Sequence, residues 1–385
     1  MNSTAKGKTS AFKSAYQLLM RTANRSVNII IQDPHNLAFF CQTLSNALEN
    51  ETRHIHIVAV GRSRVVGMIV GECLKNIGFS DRVAYLGENI SHPVKKNDVV
   101  IAITGSGWTK LTTMVLEEVV HKKGIILTFT GALDSKAAKL SDGVLLNPQG
   151  YQSQDHLYLF TREQVPLSPL GTIFELTTLV TSLGVINGVH KGSCTNGFNE
   201  ATTKILKIAE STYTSLKNDP KFFKFITFLG NYCNKSESKV FFFGSGINAL
   251  VASMSSNRFQ SLGMNVHSTN DWRFRDEGDL LIAISGSGLS PAVLNIAKSA
   301  KRSQMKIIGI TSFSQSQLVK DSDEFLILEG RKQQTVPEIF QLNQQEMYIP
   351  KFEYVTALVL ESCVAQIVKN LGIPDSNQGN YILDI

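Results

Sequence analysis

Two short runs of small residues carry the plainest chemical signal in the sequence, Thr104-Gly105-Ser106-Gly107 and Ser285-Gly286-Ser287-Gly288. Each is followed at the same spacing by another hydroxyl, Thr109 in the first and Ser290 in the second. Glycine lets a backbone come close to a ligand, and serine and threonine hydroxyls donate hydrogen bonds to phosphate oxygens. A helix starting just after such a run adds unpaired N–H groups and a partial positive charge, which suits a phosphate. Two further turns, Gly61-Arg62-Ser63 and Gly244-Ser245-Gly246, lie about forty residues upstream. The candidate phosphate ligands are Arg62, Ser63, Thr104, Gly105, Ser106, Gly107 and Thr109 in one half. In the other they are Gly244, Ser245, Ser285, Gly286, Ser287, Gly288 and Ser290. One such run alone is as readily a plain strand-to-helix turn. Recurrence in matching context, about 180 residues apart, argues for a shared binding role.

The elements that would hold these turns repeat as well. Apolar runs at Ile55–Val60, Val99–Ile103, Val240–Phe243 and Leu280–Ile284 each end at one of the turns and read as strands. Helical patterns follow at Val65–Ile77, Lys110–Lys122, Ala249–Leu262 and Pro291–Ser303, the first and third closing before Gly78 and Gly263. Further strands are expected at Arg82–Leu86, Ile125–Phe129, Asn265–Ser268 and Ile307–Ile310. Strands alternating with helices of this length mean βαβ units in a parallel sheet, and near-continuous Val/Ile/Leu strands mean both faces are covered. Helical segments lead into each half, at Ala11–Glu49 and Ala201–Tyr232, and Lys191–Asn199 reads as a linker. Each half closes with polar loops, Gln149–Gln164 and Arg331–Gln345, and a last helix, Thr172–Val189 and Glu353–Leu371. The division is two duplicated domains, residues 1–195 and 196–385.

Composition narrows the partners. Of 385 residues, 43% are hydrophobic and 18% charged, a core-forming balance. The net charge of +6 suits a small anion and gives no basic patch for nucleic acid. Cys41, Cys73, Cys194, Cys233 and Cys363 are scattered and odd in number, indicating neither a zinc site nor a disulfide framework and fitting a reducing compartment. No apolar run reaches the length of a membrane helix and no signal peptide opens the sequence, so a soluble cytoplasmic protein is expected. Gly244-Ser245-Gly246 with Ala249 matches a dinucleotide fingerprint, but the next strand lacks the acidic residue a ribose needs. No Walker-type lysine and no metal-ligand cluster is present, so no cofactor and no metal are expected.

The first half resembles 6-phospho-3-hexuloisomerase, an enzyme of the sugar isomerase (SIS) domain family, over about Ile55 to Gly184. The matching features are Gly61-Arg62-Ser63, Gly78-Phe79, Gly87-Glu88 ahead of Pro93, Asp98, Thr104-Gly105-Ser106-Gly107 and Asp134-Ser135. The most specific is Pro169-Leu170-Gly171-Thr172 followed by Phe174-Glu175. The second half resembles the SIS fold from about Val240 to Leu371, through its two turns and Phe352-Glu353. The resemblance implies two tandem SIS domains, each a flavodoxin-like αβα sandwich in three layers. It also implies a phosphorylated sugar as ligand and a carbonyl moved between C3 and C2 of a hexulose 6-phosphate through an enediol. That reaction needs a base for a carbon-bound proton. The resemblance places it at Glu175, and in the second half at Glu353.

Departures bear on this reading. Arg64 replaces a usual glycine, Trp108 follows the first loop, and Asn76 and Ser261 stand where the family often has histidine. Gln378-Gly379-Asn380-Tyr381 replaces the family's C-terminal histidine motif, leaving His92 as an alternative proton donor. The second half lacks the Pro-Leu-Gly-Thr run. A non-catalytic sugar-phosphate-binding regulator is therefore the competing function. Nucleic acid and membrane are not expected partners. The paired helical faces of such folds imply a homo-oligomer, a dimer bringing four SIS domains together.

Overall fold

The computed structural model describes residues 10–86, 93–148, 170–233, 237–260, 263–267, 275–331 and 347–372. The first half begins with α1 (Ser10–Gln32) and α2 (Pro34–Glu49). It continues as β1 (Ile55–Ala59), α3 (Ser63–Leu74), β2 (Val83–Tyr85), β3 (Val99–Thr104) and α4 (Lys110–Lys122). It closes with β4 (Ile125–Thr130), α5 (Lys136–Lys139), β5 (Gly143–Leu146) and α6 (Leu170–His190). The second half repeats the order with α7 (Cys194–Leu216), α8 (Pro220–Cys233), β6 (Val240–Gly244), α9 (Ile247–Gln260), β7 (Val266–His267) and β8 (Leu280–Ile284). Then follow α10 (Pro291–Arg302), β9 (Lys306–Thr311), α11 (Gln317–Asp321), β10 (Glu324–Ile327) and α12 (Lys351–Leu371).

Both sheets are parallel, with strand orders β2-β1-β3-β4-β5 and β10-β9-β8-β6-β7, the same flavodoxin-like arrangement twice. The alternation along each strand explains the layers. In β3, Ile101 and Ile103 face the interior that both halves share, whereas Val100 and Ala102 pack under α4 on Leu116 and Val119. In the second half, Leu280 and Ile282 face inward, and Leu281 and Ala283 pack under α10 on Val293 and Ala297. The inner faces merge into one apolar cluster through α3, α6, α9 and α12. Helix α3 touches α9, and α6 touches α12, so the halves meet through their inner helical layers.

Three expectations need correction here. The segment Lys191–Asn199 is no extended linker, because Cys194–Asn199 already belongs to α7. Its small residues serve close helix packing: a Cβ on Gly197 would meet the Asn187 carbonyl at 2.6 Å, and Asn187 Nδ2 donates to the Gly197 carbonyl at 2.7 Å. The cysteines are not all isolated either. Cys41 of α2 and Cys194 at the start of α7 form a disulfide, their Cα atoms 5.9 Å apart across 153 residues. Sequence distance concealed a pairing that the packing of α2 on α7 creates. Finally, two stretches, Thr172–His190 and Lys351–Leu371, are long and apolar enough by composition to cross a membrane. In the fold both are central: α6 and α12 lie between their sheets and α1 and α7, with 100% and 83% of their most apolar windows buried.

Candidate functional site

The two small-residue runs sit where strands end and helices begin, at the carboxyl edges of β3 and β8, where open α/β sheets bind ligands. Each is a tight loop with the same internal bonds. Trp108 N–H donates to Ser106 Oγ at 3.2 Å, and Leu289 N–H donates to Ser287 Oγ at 3.2 Å. Gly107 and Gly288 are left-handed, with φ of 69° and 64°, which only glycine adopts without strain. A Cβ at either would strike Ser135 or Ser316, the N-cap residues of α5 and α11. The short capped helices thus brace the loops from behind. Ala137 and Leu318 donate N–H bonds to the Gly107 and Gly288 carbonyls at 3.0 and 3.1 Å. Thr104 Oγ1 lies 3.4 Å from Thr109 Oγ1, and Gly288 N–H reaches Ser285 Oγ at 3.1 Å. The structure therefore brings Thr104, Gly105, Ser106, Gly107 and Thr109 into one cradle, and Ser285, Gly286, Ser287, Gly288 and Ser290 into the other. Trp108 stands 55% exposed beside the first, in the place held by Leu289 in the second.

The upstream turns differ more than the sequence suggests. Strand pairing sets Ala59 opposite Ile103 and Gly244 opposite Ile284, so Ala59 corresponds to Gly244 and Gly61 to Gly246. Gly61 and Gly246 share a left-handed backbone, φ 63° and 59°. Gly244 is needed for another reason, since a Cβ there would collide with the Asn248 carbonyl. Ser245 does join the second cradle, its Oγ 2.7 Å from Ser290 Oγ. Arg62 has Ile247 as its counterpart, so the second half has no arginine at this place. Ser63 is the first residue of α3.

Arg62 reaches the start of α6. Its Nη1 donates to Thr172 Oγ1 at 3.3 Å and its Nε lies 3.5 Å from Glu175 Oε1. Glu175 is buried, whereas the Arg62 side chain is 30% exposed. Burial pushes the Glu175 carboxyl up to about 7. Arg62 opposes that rise, Glu361 adds to it and Arg258 opposes it. Glu361 and Arg258 belong to the second half, on α12 and α9, where Arg258 Nε donates to Glu361 Oε1 at 2.9 Å in a buried pair. A carboxyl near 7 beside a partly exposed guanidinium is suited to exchanging a proton at neutral pH.

Glu353 occupies the equivalent place on α12 with different company. Arg331 Nη2 donates to Glu353 Oε1 at 3.1 Å, and Tyr348 Oη donates to Oε1 and Oε2 at 2.9 and 2.7 Å. The Arg331 guanidinium stacks 4.9 Å over the Tyr348 ring. Burial and then the Glu353 carboxylate push the Tyr348 phenol well up, keeping its proton on oxygen. Sequence reading missed Arg331 and Tyr348. Arg331 opens a polar stretch read only as a loop, and Tyr348 stands two residues before Pro350 with no motif around it. It missed the Arg258–Glu361 pair as well, though a charge at the same helical phase as buried apolar neighbours is a readable oddity. His92 lies outside the described residues. Among the described residues no group of three His, Cys, Asp or Glu has the arrangement of a metal site.

Known proteins share the family and the fold of this chain. The profile of the SIS domain matches residues 48–163 and 234–342, one segment over each sheet. An uncharacterized protein of Aeropyrum pernix is 36% identical over 140 residues, 35% of this chain and 65% of that relative. The 3-hexulose-6-phosphate isomerase of Methanocaldococcus jannaschii is 29% identical over 140 residues, 36% of this chain and 72% of that enzyme. Among solved structures, tagatose-6-phosphate ketose/aldose isomerase from Escherichia coli superposes with a TM-score of 0.62. That superposition covers 94% of this chain and 95% of that one, at 15% identity, a likeness of fold.

Proposed function

Because the chain belongs to the SIS domain family, we propose that its first half is a phosphosugar isomerase moving a carbonyl between C3 and C2 of a hexulose 6-phosphate. The pair is of the 3-hexulose 6-phosphate and fructose 6-phosphate type. The Thr104–Thr109 cradle holds the phosphate. Ionised Glu175 takes the proton from C2, the C3 carbonyl oxygen gains a proton, and a 2,3-enediol forms. Return of the proton to C3 with loss of the O2 proton leaves the carbonyl at C2, so atoms and electrons balance without an oxidant. Arg62 keeps part of Glu175 ionised near neutral pH, and its partly exposed guanidinium is the cation available to stabilise charge on an enediolate oxygen. The observation that carries this reading is the buried Glu175 carboxyl, raised to about 7 with one arginine beside it.

Turnover of a panel of hexulose 6-phosphates in heavy water tests it. The expected result is isomerisation with deuterium entering at C3 of the product. Tight binding of a hexulose phosphate with no turnover of any would overturn it. That outcome would favour the second reading, a sugar-phosphate-binding regulator, which the occupied Glu353 carboxylate supports for the second half. A homodimer bringing four SIS domains together belongs to the same reading, and light scattering at twice the chain mass checks it.

A further inference from the structure

Arg331 is placed by the fold in direct contact with the second small-residue loop. A Cβ added to Gly286 would lie 2.6 Å from Arg331 Nε and 2.8 Å from its Cδ. The guanidinium therefore rests on the bare backbone of the Ser285–Ser290 loop, and any larger residue at 286 would displace it. Its far end is anchored: Nη2 donates to Glu353, and the plane stacks on Tyr348. Its near end is not. Nε is buried and has no hydrogen-bond partner among the described residues. Nε itself is sealed against the loop, but the side chain is 28% exposed, so part of its charged fork beside the loop is reachable by an anion. The neighbouring groups agree, for Ser245 and Ser290 share one hydrogen bond and leave acceptor and donor capacity at the loop.

The same contacts decide what the site does with its ligand. Both Glu353 oxygens already accept hydrogen bonds, from Arg331 and from a Tyr348 phenol held protonated. A carboxylate occupied in this way orients an arginine and is poorly placed to take a proton from carbon. In the first half the arginine comes from the turn just before α3, lies 3.5 Å from Glu175, and leaves that carboxyl free to change protonation.

We propose that Arg331 is a phosphate-anchoring residue of the second loop, and that this loop holds a phosphomonoester without reacting it. Glu353 and Tyr348 act as positioning residues for the guanidinium. This inference rests on the reading that the duplicated loops bind phosphate, and it is separable from isomerisation in the first half. The test uses the full chain carrying Ser106→Ala and Thr109→Ala, which weakens the first cradle. Calorimetry with fructose 6-phosphate and, separately, inorganic phosphate reads the second site. The two probes tell a sugar phosphate site from a free phosphate site.

In that background one binding event should remain, and Arg331→Met should weaken it about 10- to 100-fold, the loss of a charge-assisted hydrogen bond. Phosphorus NMR supplies a readout that a scaffold role would not move. The second ionisation of a free phosphomonoester lies near pH 6. Bound beside Arg331 it should titrate lower, and Arg331→Met should return it toward the free value. If Arg331→Met does not fold, Arg331→Lys keeps the charge but loses the planar fork, and an intermediate affinity is expected. Unchanged affinity and unchanged titration in the folded variant would overturn the proposal. So would a background protein that binds neither probe. Turnover of the wild-type chain is measured apart from these isotherms, so failure of the isomerase reading and failure of this one give different results.

Discussion

Replacing Glu175 with Gln keeps the shape of the side chain and removes its charge, so it separates catalysis from stability in one variant. The folded carboxyl lies near 7, against an ordinary value of 4.5, with burial as the main cause. Between those two values the folded chain holds a proton that the unfolded chain has released. Folding stability therefore falls as pH rises through that window, and the full cost, roughly 3 kcal/mol, is reached only above about pH 7. The Gln variant does not carry this cost. At pH 8 it should melt a few degrees above the wild type (up to roughly 3 kcal/mol), and at pH 4 the difference should vanish. Arg62 loses its partner in the variant but is 30% exposed, so solvent limits the penalty. Turnover should move the other way. Wild-type kcat/KM should rise with pH along a limb centred near 7, and the Gln variant should lose the limb together with about 10²–10⁴-fold of rate. Differential scanning calorimetry at the two pH values, with kinetics on a hexulose 6-phosphate, reads both effects. A Gln variant that is less stable at pH 8 would refute the burial argument. One that turns over at wild-type rate would move the base elsewhere, with His92 next to be replaced.

The other expectations are simpler. Arg62→Met removes the cation that holds Glu175 down, so the acid limb of the pH profile should shift upward from about 7 while kcat/KM at pH 7 falls. Ser106→Ala should raise the dissociation constant for fructose 6-phosphate about 10- to 100-fold by calorimetry; affinity unchanged from the wild type in both Ser106→Ala and Ser287→Ala would remove both loops from binding. Cys41→Ser opens the link between α2 and α7 and should cost roughly 2–4 kcal/mol by denaturant unfolding, and a reductant should produce the same change in the wild type. A chelator should leave turnover unchanged, and activity lost to it and restored by zinc or magnesium would reveal a metal site.

The loops were legible because their chemistry is local. Glycine at 107 and 288 is demanded by a left-handed backbone, and the hydroxyls beside it announce a polar turn wherever the chain is read. The strands were legible because a buried parallel sheet writes unbroken apolar runs. Short elements escaped: α5 and α11 are too brief to show periodicity, yet their Ser135 and Ser316 caps brace the loops. The register of the upstream turns escaped as well. Gly61-Arg62-Ser63 and Gly244-Ser245-Gly246 look alike, but strand pairing matches Gly61 with Gly246 and leaves Arg62 opposite Ile247. Contacts between distant segments left no mark at all. Nothing near Cys41 points to Cys194, and nothing near Arg331 points to Gly286.

Why two halves with the same loop should differ follows from where each obtains its arginine. In the first, Arg62 belongs to the strand-to-helix turn and meets Glu175 at 3.5 Å, a loose pair that leaves the carboxyl near 7. In the second, that position is Ile247, and the arginine comes from the stretch after β10, with a tyrosine completing the grip on Glu353. The field at Glu175 also includes Glu361 and Arg258, a buried pair 2.9 Å apart on the inner helices of the second half. Their effects on Glu175 oppose each other, so the pair as a whole perturbs it less than either charge alone. Replacing either member would remove its effect on Glu175 through the shared core. Glu361→Gln removes a charge that raises the Glu175 titration and should lower it, whereas Arg258→Met removes one that lowers it and should raise it. The limb of the first half's pH profile would then shift in opposite directions for two substitutions made in the second half. A limb that stays in place for both would mean that the two halves do not share an electrostatic interior at this site.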